Sequence, residues 1–207
     1  MLGQADLLRQ RMQKQGLTQE AQIAAAVVSS AKRMNTMIQE LVDSARLEAG
    51  QVALNKKRTD MTQLVRDVVD RMANREERAR VAVEAPAAAL LVFVDAERIE
   101  RVITNLLSNA LKYSPSDSPA VLHLAPQGDK LVLSVTDRGV GIQAEDIPHL
   151  FQRFYRAKTA QRHEGLGLGL YISRLIAEAH GGRVWVESEV NKGSTFHLAL
   201  PIVKPEI

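Results

Sequence analysis

The sequence predicts an α+β fold, a two-layer α/β sandwich with a mixed sheet and helices on one face, preceded by a helical hairpin. Apolar residues recur at helical spacing through residues 1–50, and valine- and leucine-rich strands then alternate with amphipathic helices. With 45% hydrophobic residues among 207, the chain can bury a substantial core. Because each helix must cover its apolar face, we expect the helices to pack on one face of a single sheet.

Composition excludes several classes of function. The chain has no cysteine, which excludes disulfides, thiolate metal sites and cysteine nucleophiles. Its net charge is +3 and its basic residues are interleaved with acidic ones, which argues against a nucleic-acid partner. No apolar stretch approaches the roughly 20 residues of a membrane-spanning helix, and no signal peptide is present. We therefore expect no membrane contact in this part of the protein.

The hairpin is predicted over residues 1–50. Leu2–Met12 has the apolar pattern of a helix, Gly16 interrupts it, and a long helix is expected from Thr18 to Glu48, with Gly50 ending it. An ordinary core hairpin would explain this pattern, but a stripe this long on so little partner surface favours homodimerisation. The stripe comprises Ile23, Val27, Met34, Met37, Ile38, Leu41 and Ala45.

Residues 51–60 are expected to form a linker and residues 61–207 a second domain. Helices are predicted over Met61–Asn74, over the apolar segment that follows a capping Asp95, and over Leu168–Ala179. Strands are predicted at Arg80–Ala85, Leu90–Asp95, Val121–Leu124, Leu131–Thr136, Arg183–Glu187 and Thr195–Leu200, the last two joined by the turn Asn191, Lys192, Gly193.

Four segments of the second domain carry chemical signals. The first contains Asn105, Asn109 and Lys112, which spacings of four and three place on one face of a helix. An amide oxygen suits magnesium and a nearby lysine suits phosphate, although asparagines that bond neighbouring backbone would give the same pattern. The second runs from Asp137 to Ile142 directly after a strand, where a carboxylate can accept a hydrogen bond from an exocyclic amine.

The third and fourth segments are aromatic and glycine-rich. Residues 151–156 hold three of the chain's seven phenylalanines and tyrosines beside two arginines, which is also typical of a surface helix with an aromatic anchor. Gly165, Gly167 and Gly169 open a helix, and amides at such a terminus bind phosphate. No Gly-Lys-Ser/Thr follows them and no Rossmann unit surrounds them, so neither nucleotide motif is present.

Taken together and in this order, the four segments closely resemble the N, first glycine, F and second glycine boxes of bacterial sensor histidine kinases. The sequence Ala179-His-Gly-Gly-Arg-Val-Trp-Val-Glu-Ser and the sequence Gly193-Ser-Thr-Phe look like the closing strands of that family. The resemblance runs roughly from Leu17 to Pro201 and implies a Bergerat-type ATP-binding fold. It also implies ATP and Mg²⁺ as ligands and a protein-histidine kinase activity.

The resemblance assigns roles to individual residues. Asn109 is expected to supply its side-chain oxygen to the Mg²⁺ that bridges the phosphates, with Asn105 one turn earlier on the same wall. Asp137 is expected to bond the adenine amino group and so to select ATP over GTP. Lys112 and Arg156 are expected toward phosphate, Tyr113 beside the adenosine, and Gly139 and Gly141 where the base lies against the backbone. Gly165, Gly167 and Gly169 are expected at the flexible end of an ATP lid over residues 156–164. The resemblance also gives further nucleotide-binding positions at Ile142, Phe154, Tyr155, Leu166 and Leu168.

The resemblance also favours a kinase over an ATPase. ATP-hydrolysing members of the superfamily, such as gyrase B, MutL and heat-shock 90 chaperones, carry a glutamate at the position of Asn105. A neutral amide cannot act as the general base on water, so the γ-phosphate is left for another nucleophile. In this family the nucleophile is a histidine on the first hairpin helix, which we expect about three turns before Met1. None of the five histidines, His123, His149, His163, His180 and His197, has the surroundings of that acceptor.

The sequence therefore predicts no catalytic acceptor within this chain and no autophosphorylation by the chain alone. The expected partners are a second copy, bound through the hairpin, and the receiver domain of a response regulator. We expect a cytoplasmic location, with a full-length parent in a bacterial inner membrane. An anti-sigma-type serine kinase or binding switch is the alternative function, against which the hairpin argues, and a degenerate nucleotide sensor is a third.

Overall fold

The computed structural model describes residues 18–48, 53–72, 74–157 and 166–202. The chain divides into two compact units, Met1–Ala45 and Arg46–Ile207. The predicted helix Leu2–Met12 and the breakers Gly16 and Gly50 lie outside the described residues.

Helix α1 spans Thr18–Glu48, the range that the apolar stripe predicts. The side chains of Ile23, Val27, Met34 and Ile38 are each more than half exposed. Burying apolar surface away from water is favourable by about 25 cal/mol for each Å². The stripe therefore provides a surface suited to association with another helix.

The second unit contains the remaining elements. Its described α-helices are α2 (Met61–Asp70), α3 (Arg75–Ala79), α4 (Ala96–Tyr113) and α5 (Gly169–Ala179), and a 3₁₀ turn covers Ile147–His149. Its strands are β1 (Lys57–Asp60), β2 (Val81–Glu84), β3 (Leu91–Val94), β4 (Ala120–Gln127), β5 (Lys130–Thr136), β6 (Arg183–Glu189) and β7 (Gly193–Pro201).

The strands form two sheets, which corrects the expectation of a single sheet. The larger sheet is mixed, in the order β2-β4-β5-β7-β6, with β2 parallel to β4 and the other pairs antiparallel. The smaller sheet pairs β1 with β3. Strand β1 lies inside the stretch that the sequence suggests is a linker. Asp60 explains the pairing, because its Oδ1 accepts hydrogen bonds from the amides of Thr62 at 2.9 Å and Leu90 at 3.2 Å.

The helix expected over Met61–Asn74 ends early, at Asp70, and a separate short helix, α3, follows that range. Helix α2 ends at Asp70, and Asn74 caps α3 by accepting a hydrogen bond from the Glu76 amide at 2.9 Å. An asparagine that caps a helix from its own extended backbone cannot also continue the preceding helix. The remaining predicted elements are present at similar bounds, and the predicted turn joins β6 to β7.

The core lies between the larger sheet and the helices. Helices α4 and α5 pack against each other, and they contact strands β4, β5, β6 and β7. The largest fully buried side chains include Ile99, Ile103, Leu106, Leu122, Leu133, Ile176 and Leu198. This arrangement confirms the two-layer α+β fold and brings the end of α4 toward the start of α5.

Candidate functional site

Helix α4 presents a polar face on an otherwise apolar helix. Asp95 caps it as predicted, with Oδ1 accepting from the Arg98 amide at 3.4 Å. The leucines of α4 are buried, whereas Asn105 and Asn109 are half-buried and Lys112 is exposed. The predicted amide and ammonium groups therefore lie on the more exposed face of α4, and the apolar face of the helix packs in the core.

Asp137 follows β5 and is only 4% exposed. Its amide donates to the Ser194 carbonyl at 2.8 Å, and its Oδ1 accepts from the Gly139 amide at 2.7 Å. Burial raises the pKa of this carboxyl, and hydrogen bonds from the Gly139 and Ser194 backbone oppose that rise. Further along the same turn, the half-buried Ile142 donates its amide to the Ser188 hydroxyl at 2.9 Å.

The two glycines after Asp137 allow close backbone contacts. A Cβ atom at Gly139 would lie 2.4 Å from the Tyr113 carbonyl oxygen at the end of α4. Gly141 has a φ of +67°, and a Cβ atom there would lie 2.1 Å from the carbonyl oxygen of Glu189. The missing side chain at Gly139 lets this turn lie beside α4, and the missing side chain at Gly141 lets it lie beside β6. The first contact brings the first and second predicted segments together.

The aromatic segment forms a turn held by one buried acid. Tyr155 donates its hydroxyl to Asp146 Oδ1 at 2.5 Å, and this bond is the main cause that raises the pKa of Tyr155. Phe154 is 53% exposed with a φ of 63°, and the Arg153 guanidinium lies 4.9 Å from its ring centroid. An exposed aromatic side chain on left-handed backbone is uncommon, and such residues often belong to functional sites.

Arg156 and Tyr113 are neighbours although they are far apart in sequence. Burial raises the pKa of Tyr113, and the nearby charge of Arg156 opposes that rise. Lys112 lies with its Nζ 5.4 Å from the Tyr113 ring centroid. Two cations therefore flank this half-buried ring at the end of α4, where an anionic ligand would be favoured.

The second glycine segment leads into α5. Gly167 has a φ of +72°, and a Cβ atom there would lie 2.5 Å from the Tyr155 carbonyl oxygen. A Cβ atom at Gly169 would lie 2.4 Å from Asn105 Oδ1. Leu168, which is buried, occupies the N-cap of α5 and makes no side-chain cap hydrogen bond. The first amides of this helix therefore have no side-chain cap, as an anion-binding terminus requires.

Two other predicted positions complete the account of this segment. Leu166 is half-buried, and Gly165 lies outside the described residues together with residues 158–164. Arg156, the first residue of the predicted lid, and Leu166, which follows the lid, both lie next to Gly167.

Asn109 is the predicted protein ligand for a metal ion. Within the part of the chain that the structure describes, no three histidine, aspartate or glutamate side chains form a group that could hold one. Mg²⁺ commonly binds through one or two protein oxygens, several waters and the phosphates of its nucleotide. A single half-buried amide oxygen beside a phosphate site fits that mode of binding.

Ser173 is a site-adjacent residue that the sequence does not reveal. Asn105 Nδ2 donates to its hydroxyl at 3.0 Å, linking α4 to α5. The only signal is a small polar residue on the buried side of α5, between Ile172 and Ile176. Serine is common in such positions, so that signal has little specificity.

A family model matches this arrangement. Residues 94–204 match the family described as histidine kinase-, DNA gyrase B-, and HSP90-like ATPase, and the match covers every segment of the candidate site. The chain belongs to this family. An ATPase family of this description supports ATP as the nucleotide of the site.

Curated relatives of this ATPase-family chain are sensor kinases. The adaptive-response sensory kinase SasA of Synechococcus sp. (strain JA-3-3Ab) is 34% identical over 178 residues, which cover 84% of this chain and 47% of SasA. The sensor-like histidine kinase SenX3 of Mycobacterium bovis (strain ATCC BAA-935 / AF2122/97) is 34% identical over 181 residues, covering 86% of this chain and 44% of SenX3. The chain spans about half the length of the curated relatives it matches.

Solved structures have the same fold. The mycobacterial sensor histidine kinase MprB matches with a TM-score of 0.62 and 28% identity, over 70% of this chain and 98% of that one. Full-length ShkA in complex with AMPPNP matches with a TM-score of 0.74 and 24% identity, over 90% of this chain and 39% of that one. These likenesses identify the domain as a sensor histidine kinase type of ATP-binding domain and favour it over the anti-sigma alternative.

The described histidines of this ATPase-family domain lie in strands, in a short turn or at the end of α5. His180 is 3% exposed, with Nδ1 donating to the Ile176 carbonyl at 2.7 Å and Nε2 accepting from the Asp95 amide at 3.0 Å. His197 Nδ1 lies 2.8 Å from the Ser134 hydroxyl. His123 lies in β4, His149 ends the 3₁₀ turn, and His163 is outside the described residues.

Glu48, the last residue of α1, belongs to the second unit and contacts one residue before and one residue after the predicted lid. Tyr171 donates its hydroxyl to Glu48 Oε1 at 2.6 Å, and Arg153 Nη1 lies 3.8 Å from the same oxygen. Arg153 precedes residues 158–165 in the chain and Tyr171 follows them.

Among the described residues, no helix has the length and apolar character needed to cross a membrane.

Proposed function

We propose that this domain binds ATP with Mg²⁺ and transfers the γ-phosphoryl group to a histidine of a sensor histidine kinase. The observation that carries the proposal is the buried Asp137 on a glycine turn that contacts the end of α4. A buried carboxylate fixed by a backbone amide can accept a hydrogen bond from an adenine amino group and cannot accept one from a carbonyl oxygen. ATP is therefore expected to bind in preference to GTP.

The remaining roles follow from charge and position. Asn109 supplies an oxygen to Mg²⁺, while Lys112, Arg156 and the uncapped start of α5 face phosphate. Tyr113 and the glycine turn border the adenosine. The imidazole nitrogen of the acceptor attacks the γ-phosphorus, the new P–N bond replaces the P–O bond, and ADP leaves.

This chain offers positioning and charge rather than a base. Asn105 is neutral and its amide donates to Ser173, so it cannot take a proton from water. Phosphoryl transfer depends mostly on placing the reactants and stabilising charge, which such a site provides. The phosphohistidine is proposed to pass its phosphoryl group to an aspartate of a receiver domain, in the cytoplasm where ATP is available.

The proposed assembly is a homodimer through α1. Its exposed stripe of Ile23, Val27, Met34 and Ile38 has the spacing of helical bundle interfaces. A dimer supplies a second hairpin to each ATP-binding domain, which fits transfer to a helix-borne histidine.

Calorimetric titration tests the proposed function. The unmodified protein is titrated with ATP and with GTP, in the presence of Mg²⁺ and of a chelator. We expect ATP to bind with Mg²⁺, GTP to bind much more weakly, and the Asn109→Ala variant, which removes the ligating oxygen, to lose most of its Mg²⁺ dependence. Exposed Asn35→Ala is the matched control, since it makes the same chemical change on helix α1. Equal binding of ATP and GTP would contradict the assignment of Asp137.

A further inference from the structure

The start of α5 is joined to α4 by a hydrogen bond to the Ser173 hydroxyl, and the same hydroxyl makes a second hydrogen bond within α5. Ser173 Oγ donates to the Gly169 carbonyl at 2.9 Å and accepts from Asn105 Nδ2 at 3.0 Å. A serine hydroxyl has one proton and two lone pairs, so this pair of bonds uses its only donor. Ser173 is 2% exposed, which leaves no water to replace either bond.

The other atom of the Asn105 amide meets the same turn. Asn105 Oδ1 lies so close to Gly169 that a Cβ atom there would be 2.4 Å away. The asparagine side chain therefore fills the space above the Gly169 Cα atom while its nitrogen reaches one turn further along α5. Both ends of the amide are used to hold one helix against the other.

We infer that Asn105 and Ser173 are positioning residues for the phosphate-binding turn, an inference that rests on the proposed function. Their bonds set where the uncapped amides of α5 stand relative to Asn109, which is one turn along α4 from Asn105. If Asn109 were to hold Mg²⁺ and those amides were to bind phosphate, the relative position of α4 and α5 would affect binding at both. Ser173 acts through Gly169 and Asn105 and does not itself contact nucleotide.

A comparison of ATP with adenosine tests this role. Adenosine reports the base site around Asp137, whereas ATP also reports the phosphate site. We expect Ser173→Ala to weaken ATP binding by about fivefold to tenfold, the loss of one buried hydrogen bond, and to leave adenosine binding unchanged. Ser173→Thr keeps the hydroxyl and is expected to restore ATP binding. Ser134→Ala is the control, since its hydroxyl bonds His197 in the sheet instead.

A double-mutant cycle tests whether the two residues act together. If they position one turn, Asn105→Ala combined with Ser173→Ala should cost no more ATP affinity than the larger single change. Additive losses would overturn the inference, as would an equal loss of ATP and adenosine affinity or no loss in Ser173→Ala. If Ser173→Ala unfolds below the assay temperature, Ser173→Cys gives the same comparison with a weaker donor.

The outcomes for the two proposals can be distinguished. Unmodified protein that binds neither ATP nor adenosine contradicts the proposed function itself. Unmodified protein that binds ATP while Ser173→Ala binds it equally well contradicts only the positioning role.

Discussion

At the scale of single residues, Asp137 has the most specific environment in the site. It is buried, one of its oxygens is held by the Gly139 amide, and burial raises its pKa. A Cβ atom at the neighbouring Gly139 would clash with the Tyr113 carbonyl oxygen. The position of the Asp137 carboxylate therefore depends on residue 139 having no side chain. The base site is thus sensitive both to the charge at residue 137 and to the volume at residue 139.

Replacing Asp137 with asparagine tests the charge. An amide can present its NH₂ group to the adenine amine, which leaves two donors facing each other at a cost of about 1–3 kcal/mol. We expect Asp137→Asn to weaken ATP binding by about tenfold or more and to reduce the preference for ATP over GTP. Competition titrations with the two nucleotides measure both effects. Asp117→Asn, an exposed change between α4 and β4, should leave both unchanged.

Replacing Gly139 with alanine tests the volume. Its Cβ atom would lie 2.4 Å from the Tyr113 carbonyl oxygen, a contact that requires the backbone to move. We expect Gly139→Ala to lower the thermal midpoint and to abolish measurable ATP binding. Gly128→Ala is a demanding control, because that turn has a φ of +63° but no atom within 4 Å of a new Cβ. It should lose some stability and keep its ATP affinity, and equal ATP affinity in both variants would contradict the role of Gly139.

At the scale of elements, His180 joins the end of α5 to the beginning of α4. Its Nε2 accepts from the Asp95 amide and its Nδ1 donates to Ile176, an arrangement that only the neutral ring can make. Burial lowers the pKa of His180. Protonation would place two donors against each other within the core and would disturb the cap of α4.

The stability of the domain is therefore expected to depend on pH. The pKa of His180 is lowered in the folded state, so below the unfolded value of about 6.5 the unfolded chain binds the proton first. The free energy of unfolding should be constant above that pH and should fall by up to about 1.4 kcal/mol per unit below it. Denaturant unfolding at several pH values measures the slope. His180→Gln should reduce the slope and leave the contribution of His197, whose pKa burial also lowers, and the exposed His123→Gln should leave the slope unchanged.

Glu48 is a second junction between elements. Its bond from Tyr171 fastens the end of α1 to the first turn of α5, close to the glycines of the site. Because Arg153 approaches the same oxygen, the carboxylate stands between the two segments that flank the lid.

At the scale of the whole molecule, the stripe on α1 predicts association. A charged residue in an apolar interface must give up its hydration, which opposes dimer formation. We expect the unmodified chain to dimerise weakly and Ile38→Glu to be monomeric. Sedimentation over a range of concentrations measures this, with Asn35→Glu as a control on an exposed position beside the stripe. A chain that stays monomeric at every concentration would contradict this use of the stripe.

Binding and phosphoryl transfer are expected to separate in this chain. The described histidines lie in strands, in a short turn or in the core, and His180 has both ring nitrogens bonded. Incubation with γ-labelled ATP should therefore give bound nucleotide without acid-labile, base-stable label. A second protein that carries a complete acceptor hairpin should become labelled slowly, because the tether that raises local concentration is missing. Stoichiometric phosphohistidine on His123, His149, His163, His180 or His197 would contradict this division of roles.

Sequence patterns alone predict the elements that depend on neighbouring residues. The apolar spacing of α1 and α4, the capping Asp95 and the glycine motifs each report on a few neighbouring residues, and the structure contains them at the predicted places. The order of the motifs was also sufficient to indicate the family, which the family match confirms. Strand β1 and the break between α2 and α3 are not predicted, because the charged residues of these segments give no apolar pattern of a strand or a helix.

Contacts between groups that are distant in the sequence depend on the packing of the folded chain. Asn105 and Ser173 are 68 residues apart, Asp95 and His180 are 85 apart, and Glu48 and Tyr171 are 123 apart. Hydrogen bonds of this kind depend on how α4, α5 and the sheet pack, and no repeat or spacing along the chain encodes that packing. The chemical groups of the site can therefore be predicted from the sequence. The hydrogen bonds that hold these groups in position are known only from the folded structure.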